Sequence, residues 1–599
     1  MASLLFNPAT YDPTYLDDES RRQLLALVQY FEAKGHAQLK DDFHGAQWYS
    51  DFVQFIADEG IFARFGTPTA VAELLPDSAA DARWDTARIN DLNEILGFYG
   101  LDYWYAWQVT VLGLGPVWTS DNEQAKALVA QLLRGGGIFG FGLSEQNHGA
   151  DIYSTDLVLT SDGAGGWTAT GAKYYIGNGN VGARISVFGR FADDDPDRPG
   201  EYVFFLADPE RPEYVLEKNV VHGQMYVSAF RLEDYAVDAV DILHTGKAAW
   251  DAALATINVG KVNLGWASIG ICEHAFFEAI AHAHNRILYG NPVTDFPHVR
   301  RMLGDAYARM IGMKLYSVRS ADYFRSASPD DRRFLLFNPI TKMKVTMEGE
   351  KTIDLLWDVI AARGFEKDTY FEQAVGHIRA LPKLEGTVHV NLALVLKFLP
   401  QYLAAAVGYG EQYGPIGPRN EAADDDYLFA QGSASGLSKI PFHDPRPAFA
   451  RFAHLPNVAA FIEQMHAFAQ LVSTAPPSKE QAADLDLLLT LGQLFTQIVY
   501  AQLTCESAAL ALDDVAGGKR ESSVSDCSDL TEAHLDRVFA VFIRDFNDYA
   551  VSLYSQAAAS DSQREQAIGL IRQPTTDAQA EAAFVAEVIA HDGAFVMNP

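Results

Sequence analysis

The spacing of hydrophobic positions changes twice along the chain. Up to residue 137, apolar side chains recur at intervals of three and four, as in 19–31 and 51–62, which is the pattern of amphipathic helices. From 138 to about 246 they alternate with polar residues, which predicts strands. After 247 the helical spacing returns. The pattern therefore predicts a β-domain between two helical regions.

A further boundary lies near residue 409. Residues 409–447 are rich in Gly, Pro and Asp, which is typical of a linker loop, and 448–599 return to helical spacing. A chain of 599 residues exceeds the size at which one hydrophobic core keeps growing. We expect a mainly α protein with a central β-domain, divided into an N-terminal helical domain (1–137), a middle β-domain (138–246), a helical bundle (247–408), the linker and an additional C-terminal helical domain.

Charge and composition exclude several classes of function. A formal net charge of −32 at pH 7 would repel nucleic acid, and no stretch approaches the roughly 20 apolar residues of a membrane span. The cysteines, Cys272, Cys505 and Cys527, are too few for a disulfide scaffold and fit a reducing cytoplasm. No His, Cys or carboxylate set has metal-ligand spacing. We expect a cytoplasmic protein without a nucleic-acid, membrane or metal partner.

Residues 138–179 carry the densest set of candidate binding features. An apolar run, 138–143, turns at Ser144 and leads into alternating strand pattern that closes on a second turn, Gly177-Asn178-Gly179. Strand ends that offer a hydroxyl, backbone amides and the flat ring of Tyr175 suit a planar, hydrogen-bonding cofactor. From the residues alone, an ordinary sheet with Gly and Asn turns accounts for this stretch equally well.

Two motifs in this stretch resemble those of the acyl-CoA dehydrogenase family. The family's (T/S)-E-P-x-x-G-S-D stands at 144–151 as SEQNHGAD, and its G-x-K-x-(W/Y/F)-I-(T/S)-N-(G/A) stands at 171–179 as GAKYYIGNG. The order of helices, β-insert and helical bundle is also similar over residues 20–405. The resemblance implies an acyl-CoA dehydrogenase-like fold and FAD as cofactor.

The resemblance also implies which residues contact the flavin. The motif R-x-x-F-G stands at 286–290 as RILYG, and in the family its Arg and aromatic reach the FAD of a neighbouring subunit. A surface Arg at a helix end is the alternative. The flavin contacts carried over are Phe141, Leu143, Ser144, Gly149, Ala150, Tyr175, Gly177, Arg286, Tyr289 and Thr387.

Glu385 is the candidate catalytic residue. Removal of a proton next to a thioester carbonyl needs a base, and an apolar site raises the pKa of a carboxyl toward neutrality, which improves it as a base. By itself a Glu before Gly386 is by default a surface turn residue. The sequence Glu385-Gly386-Thr387 resembles the family's base motif, which implies the catalytic role. Some subgroups carry the base on an earlier helix, where this chain has Gly260.

Several positions depart from the family pattern. Gly177 stands where Thr or Ser is usual near flavin N5, Ala150 replaces Ser, and Lys261 replaces Arg. Asp358 and Pro297 stand where Gln is common. These changes put the individual cofactor contacts in doubt but leave the base in place.

An aromatic run, 101–107, lies near the helix that floors the acyl pocket in the family. Its rings could shorten that pocket for a short, blunt or aromatic acyl group, or they could pack in the core. The sequence leaves both interpretations open.

The resemblance implies FAD-dependent α,β-dehydrogenation of an acyl-CoA to the trans-2-enoyl-CoA, as in β-oxidation of fatty acids. Glu385 would remove the α-proton, flavin N5 would accept the β-hydride, and an electron-transferring flavoprotein would receive the electrons. Longer relatives use an extra helical domain in place of a second pair of subunits, which implies a homodimer. An acyl-CoA oxidase, a carrier-protein thioester as substrate, and a degenerate relative acting as an interaction protein remain alternatives.

Overall fold

A computed structural model describes residues 4–75, 81–151, 153–403, 425–432, 436–516 and 529–599. Helices come first, as the apolar spacing predicts. They are α1 Asp18–Lys34, α2 His36–His44, α3 Ser50–Glu59, α4 Ile61–Gly66, α5 Thr86–Tyr99, α6 Leu101–Trp118 and α7 Glu123–Arg134. Helix α6 is buried along its whole length and is apolar on all sides, so it is a core helix of the protein.

The middle of the chain forms one mixed sheet. Its strands are β1 Phe139–Gly142, β2 Val158–Ser161, β3 Trp167–Gly177, β4 Arg184–Phe191, β5 Tyr202–Ala207, β6 Tyr214–Asn219, β7 Val227–Val237 and β8 Ile242–Thr245. They are ordered β6-β7-β3-β2-β4-β5-β8, with β1 parallel to β4 at one side. The sheet has its own apolar core, which includes Leu157, Phe205 and Phe230. The predicted change of period to two is confirmed.

The chain then returns to helices around a small hairpin. The elements are α8 Gly246–Asn285, β9 Ile287–Leu288, β10 Asn291–Pro292, α9 Pro297–Arg325, α10 Phe334–Ile340, α11 Thr346–Ile360, α12 Tyr370–Ala380, α13 Val388–Leu396 and α14 Leu399–Leu403. The 40-residue α8 packs against α5, α6, α9 and α11 and is the axis of the protein. Gly97 of α5 and Gly270 of α8 permit the close approach, because a Cβ at Gly270 would lie 2.1 Å from the carbonyl oxygen of Glu94.

The hydrophobic pattern over 340–362 suggests one continuous helix, but the structure interrupts it. A π-helical turn, Thr341–Val345, joins α10 to α11. Pro339 lies inside α10 and lacks the N–H that an α-helical hydrogen bond needs, which favours such a widening of the helix. The turn directs Lys342 inward, where the side chain is fully buried.

The last region is helical. Its elements are α15 Arg446–Ala450, α16 Pro456–Thr474, α17 Leu485–Ala516, α18 Glu532–Ser555, α19 Asp561–Gly569 and α20 Ala578–Ile589. Cys272 and Cys505 are buried core residues, whereas Cys527 lies outside the described residues.

One stretch of this region was missed in the sequence. By length and composition alone, Leu485–Asp513 is the only helix in the described ranges apolar enough to cross a membrane, and 83% of its apolar window is buried inside the protein. Polar residues such as Gln493 and Gln497 interrupt the run, so no unbroken apolar stretch stands out. Packing against α9, α13 and α18 accounts for its apolar character.

A buried ionic cluster joins the last region to the bundle. Arg309 of α9 donates to both carboxylate oxygens of Asp545 on α18, at 2.8 and 2.9 Å, and also pairs with Glu348. Lys344 lies 2.8 Å from Glu348, and Lys351 lies 3.0 Å from Asp545. Three cations therefore share two carboxylates, and the positive charges hold the pKa of Asp545 well below its ordinary value despite burial.

We expect Asp545→Asn to lower the free energy of unfolding by about 3–5 kcal/mol, because it leaves buried cations without a counter-charge. Urea unfolding at neutral pH measures the change. Asp548→Asn, on the exposed face of α18, is the matched control and should change stability by less than about 0.5 kcal/mol. Equal stability of the two variants would contradict a stabilising role for the cluster.

Candidate functional site

The carboxylate of Glu385 lies in a slot between α6 and α8. Its backbone has φ 51°, the left-handed region that is rare for a residue with a side chain, and Gly386 follows with φ 88°. A Cβ built on Gly260 of α8 would lie 2.8 Å from Oε2 of Glu385. The absence of a side chain at Gly260 therefore makes the room that the Glu385 carboxylate occupies.

The two oxygens of this carboxylate have different surroundings. The side-chain amide of Gln108, on α6, donates to Oε1 of Glu385 and also to the carbonyl of Gly260 at 3.1 Å. Oε2 is buried and accepts no hydrogen bond from any residue in the described part of the chain. One oxygen is thus held in place, and the other is free for a proton.

Lys342 holds the loop that carries Glu385. Its ammonium donates to the carbonyls of Pro382 at 2.7 Å and Gly386 at 2.5 Å, one on each side of Glu385. Burial lowers the pKa of Lys342 to about 7, although the nearby Glu385 carboxylate opposes the shift. The inward-turned lysine of the π-helical segment therefore fixes the backbone of the base.

Burial dominates the electrostatics of the site. It raises the pKa of Glu385 to about 7, against the Gln108 hydrogen bond and the charges of Lys342 and Lys261, which favour the ionised form. Burial also lowers the pKa of Lys261 to about 8. A carboxyl whose pKa lies near neutrality can both accept and release a proton at physiological pH.

Tyr105 connects this slot to the sheet. A Cβ on Gly177, at the end of β3, would lie 2.8 Å from the Tyr105 hydroxyl and 2.6 Å from Cγ2 of Val109. Burial and the neighbouring Glu385 raise the pKa of Tyr105, so the phenol stays protonated. Its hydroxyl makes no hydrogen bond within the described residues. The Tyr105 hydroxyl of α6 thus lies where a side chain at Gly177 would otherwise stand.

The two sequence motifs of the sheet are joined by a buried ion pair. Lys173 of the second motif lies 2.7 Å from Glu145 of the first, and Glu145 also accepts from the Thr155 hydroxyl at 2.6 Å. Glu145, His148 and Asp156 bring potential metal-ligand atoms within 4.8 Å of one another, a grouping that the chain spacing did not reveal. Because Lys173 and Thr155 already engage Glu145, its role here is structural.

The predicted flavin contacts on β1 and β3 lie on neighbouring strand ends. The Ser144 hydroxyl donates to the carbonyl of Tyr174 at 2.7 Å. Tyr175 sits at a register shift between β3 and β7 with φ 63°, which leaves 63% of its side chain exposed. Phe141 is buried against Phe204. Leu143 is half-buried, and Gly149 and Ala150 are exposed in the loop after β1.

The remaining predicted contacts lie apart from this wall. Arg286 and Tyr289 are on the β9–β10 hairpin, where Tyr289 is 94% exposed. No hydrogen bond or ion pair engages the Arg286 guanidinium in the ranges that the structure covers. Thr387 is exposed at the start of α13, and its side chain forms no capping bond there. Within the described residues, no hydrogen bond or ion pair joins Arg286 or Tyr289 to Glu385.

The aromatic run of α6 divides between core and site. Tyr103, Trp104 and Trp107 are at most 3% exposed and pack in the helical core, as in the contact of Trp107 with Phe62. Tyr105 lies near Glu385, whose charge contributes to the raised pKa of its phenol. Core packing therefore accounts for three rings of the run, and a role of Tyr105 in an acyl pocket stays a prediction.

Three polar residues of the site escaped the sequence reasoning. Gln108 is a polar residue within the apolar helix α6, and a polar residue in such a setting needs a buried partner, which is the signal that could have marked it. Asn263 lies in α8 near Lys261 and Asn258 and gave no such signal. Lys342 and Lys344 are charged residues of a helical pattern, which by itself does not distinguish a buried lysine from one on a solvated face. Both lysines are buried, Lys344 against Glu348.

Comparisons with known proteins agree with this architecture. Residues 249–399 match the profile of the acyl-CoA dehydrogenase, C-terminal domain. The short-chain specific acyl-CoA dehydrogenase of Megasphaera elsdenii is 25% identical over 195 residues, 32% of this chain and 50% of that protein. The mitochondrial short-chain specific enzyme of Bos taurus is 23% identical over 287 residues, 47% of this chain and 68% of that protein. The chain thus aligns with only half to two thirds of these relatives.

The fold likeness extends further than the sequence likeness. An acyl-CoA dehydrogenase from Bacillus anthracis, solved in complex with FAD, superposes with a TM-score of 0.69 over 98% of this chain and 97% of its own, at 14% identity. The similarity covers the additional C-terminal helices as well as the sheet and the bundle. The predicted fold class is therefore confirmed.

We expect the stability of the protein to depend on pH through Glu385. Because its native pKa of about 7 lies above the ordinary 4.5, its contribution is present in full below about pH 4.5 and is lost as pH rises to about 7. The stability difference between wild type and Glu385→Gln should fall over this window by at most about 1.4 kcal/mol per pH unit.

Urea unfolding at several pH values measures this difference. Glu366→Gln removes an exposed carboxylate as a control and should follow the wild-type profile. Parallel profiles for wild type and Glu385→Gln would show that the Glu385 carboxyl ionises as it does in water.

Proposed function

Because this chain belongs to the acyl-CoA dehydrogenase family, whose members are FAD-dependent oxidoreductases, we propose that it oxidises an acyl-CoA thioester to the trans-2-enoyl thioester with Glu385 as base. The single observation that carries the proposal is the buried, unpartnered Oε2 of Glu385. This oxygen faces a water-poor slot and belongs to a carboxyl whose pKa is about 7. Such a base is suited to remove the α-proton next to a thioester carbonyl.

The residues around the base fit a planar isoalloxazine ring. The exposed ring of Tyr175, the Ser144 hydroxyl and the Tyr105 hydroxyl lie on the wall formed by β1, β3 and α6. These groups would hold the FAD of this chain, and Arg286 and Tyr289 would reach that of a second copy. Bound FAD supplies the two-electron acceptor for the β-hydrogen.

The protein would acidify the α-carbon with a backbone donor. The N–H of Glu385 donates no hydrogen bond within the described residues. It is available to the thioester carbonyl oxygen, where a preorganised donor stabilises the negative charge that develops as the proton leaves. Lys342 keeps this donor in position through its bonds to Pro382 and Gly386. Glu385 accepts the α-proton at Oε2 and releases it after turnover.

The packing of α6 against α8 favours a short acyl group. A Cβ on Gly115 of α6 would lie 2.3 Å from the Thr256 hydroxyl of α8, so the two helices touch there. Thr256 precedes Gly260 by one helical turn, about 6 Å along the axis. The slot that holds Glu385 therefore closes within one turn of the base. The short-chain specificity in the names of the Megasphaera and bovine relatives agrees with this size.

The electron acceptor and the assembly follow from the same assignment. An electron-transferring flavoprotein is the proposed acceptor, with oxygen as the alternative of an oxidase. The proposed assembly is a homodimer, because the helices of 448–599 cover α9 through the Arg309–Asp545 cluster and would take the place of a further subunit there. The proposed localisation is the cytoplasm. Residues 409–447 would link the two helical regions.

The reaction is tested by anaerobic titration of the flavoprotein with acyl-CoAs of increasing length. We expect four- to six-carbon substrates to bleach the flavin absorbance fastest, since α6 and α8 touch about 6 Å from Gly260 along the axis of α8. Glu385→Gln should still bind FAD but reduce it more slowly, by more than the ~10²–10⁴-fold usual for a positioned acid–base group. Glu366→Gln, an exposed carboxylate, should bleach at the wild-type rate.

The same experiment distinguishes the alternatives. Rapid reoxidation of the bleached protein by air would indicate an oxidase, and bleaching only by carrier-protein thioesters would identify a different carrier. Full activity in Glu385→Gln would rule out the assigned base. A protein that takes up no FAD would favour the degenerate relative that acts as an interaction protein.

We expect Tyr105→Phe to slow flavin reduction by up to about tenfold, because it removes one hydroxyl at the wall that would hold the ring. Tyr103→Phe removes a hydroxyl from the same helix on the core side, at its 3.4 Å bond with Gln224, and is the matched control. Stopped-flow absorbance measures both rates. Equal rates in the two variants would show that the Tyr105 hydroxyl does not contact the reacting groups.

A further inference from the structure

A chain of buried side-chain hydrogen bonds ends on the base. The indole N–H of Trp104 donates to Oδ1 of Asn93 at 2.7 Å, and Nδ2 of Asn93 donates to Oδ1 of Asn263 at 3.0 Å. Nδ2 of Asn263 donates to Oε1 of Gln108 at 2.7 Å, and Nε2 of Gln108 donates to Glu385. The first four side chains are at most 1% exposed and come from α5, α6 and α8.

The donor-to-acceptor direction of this series of hydrogen bonds follows from the groups that cannot reverse their roles, namely the Trp104 indole and two backbone carbonyls. An indole N–H is a donor only, so the atom of Asn93 that faces Trp104 must be the carbonyl oxygen. The amide group of Asn93 also donates to the carbonyl of Ile89 at 2.6 Å, and that of Gln108 donates to the carbonyl of Gly260 at 3.1 Å. A flipped amide at either position would place two acceptors against each other. Every donor therefore points toward Glu385.

We propose that Gln108 is a positioning residue for the base: the hydrogen-bonded chain from Trp104 holds its amide as a donor to Oε1 of Glu385 and leaves Oε2 for the substrate. A glutamine side chain without this support could turn its oxygen toward the carboxylate, which would repel the ionised form. Asn263 prevents this rotation of the Gln108 amide, because Nδ2 of Asn263 donates a hydrogen bond to Oε1 of Gln108. Aligned hydrogen bonds also polarise one another, which strengthens the last bond.

The other charged groups around Glu385 act in the same direction. Lys261 on α8 and Lys342 in the π-helical turn favour the carboxylate, while the Tyr105 phenol on α6 faces it in neutral form. Against them stands burial, which favours the protonated acid. The Gln108 bond is the one interaction of this set that also orients the carboxylate, because it engages a single oxygen.

For the reaction, this inference rests on the proposed function. A base that is held at one oxygen presents the other in a constant position, and a positioned proton acceptor loses less entropy in the transition state. The orientation and protonation of Glu385 can nevertheless be measured without any substrate. The two proposals therefore fail separately.

The test is a pH titration of the Glu385 carboxyl by infrared difference spectroscopy on the purified full-length holoenzyme. Subtraction of the Glu385→Gln spectrum isolates its C=O band from those of other buried carboxyls. Gln108→Met keeps the length of the side chain and removes the donor, and should raise the pKa of Glu385 by about one unit. Asn263→Leu keeps the shape of the amide and should raise it by roughly half a unit.

Asn258→Leu is the matched control. It removes a buried amide of α8 that does not belong to the hydrogen-bonded series from Trp104 to Glu385, and it should leave the titration of Glu385 unchanged. A wild-type pKa in Gln108→Met would overturn the proposal. If Gln108→Met fails to fold, equal titrations in Asn263→Leu and Asn258→Leu would overturn it as well. A shifted titration in a protein whose flavin no acyl thioester bleaches would support the positioning role and contradict the proposed function.

Discussion

The site depends on the removal of one carboxylate from water. Glu385 enters the slot between α6 and α8 because Gly260 offers no side chain there and because its own backbone adopts a left-handed conformation. Desolvation is expensive for a charge, and the structure offsets it with one amide hydrogen bond and two nearby lysines rather than with a salt bridge. The result is a carboxyl that is balanced between its two protonation states.

That balance requires a rigid scaffold. Helices α5, α6 and α8 approach closely at glycines, and Asn93, Gln108 and Asn263 on these helices bond to one another. This buried network ends on the Glu385 carboxylate. The π-helical turn adds the second support, because it carries Lys342, whose ammonium bonds to the carbonyls of Pro382 and Gly386 on either side of Glu385. The π-helical turn and the buried amides thus both support the position of Glu385.

The sheet and the last helical region support the site from outside. The Glu145–Lys173 ion pair joins the two strand-end motifs, and the Ser144 hydroxyl bonds to the carbonyl of Tyr174 across them. The Arg309–Asp545 cluster attaches α18 to α9 and α11. Both are buried charge pairs, whose main effect is to specify one arrangement, because desolvation cancels much of their attraction.

Local spacing in the sequence determined the secondary structure, because helix and strand periods are properties of neighbouring residues. It predicted the succession of helices, sheet and helices, and a resemblance of short motifs pointed to Glu385. Even there, a Glu before a Gly is by default a surface turn residue. Only the tertiary structure decided that Gly260, far away in sequence, provides the space for that carboxylate.

The same limit applies to the polar side chains around the base. Gln108, Asn263 and Asn93 lie in buried helices, and they bond to side chains that come from other helices. The Tyr105 hydroxyl meets Gly177 from a different domain of the chain, and Lys342 turns inward because of Pro339. Hydrogen bonds and desolvation act between residues that are distant in sequence. The helices and strands could therefore be predicted from the sequence, whereas the environment of Glu385 exists only in the folded protein.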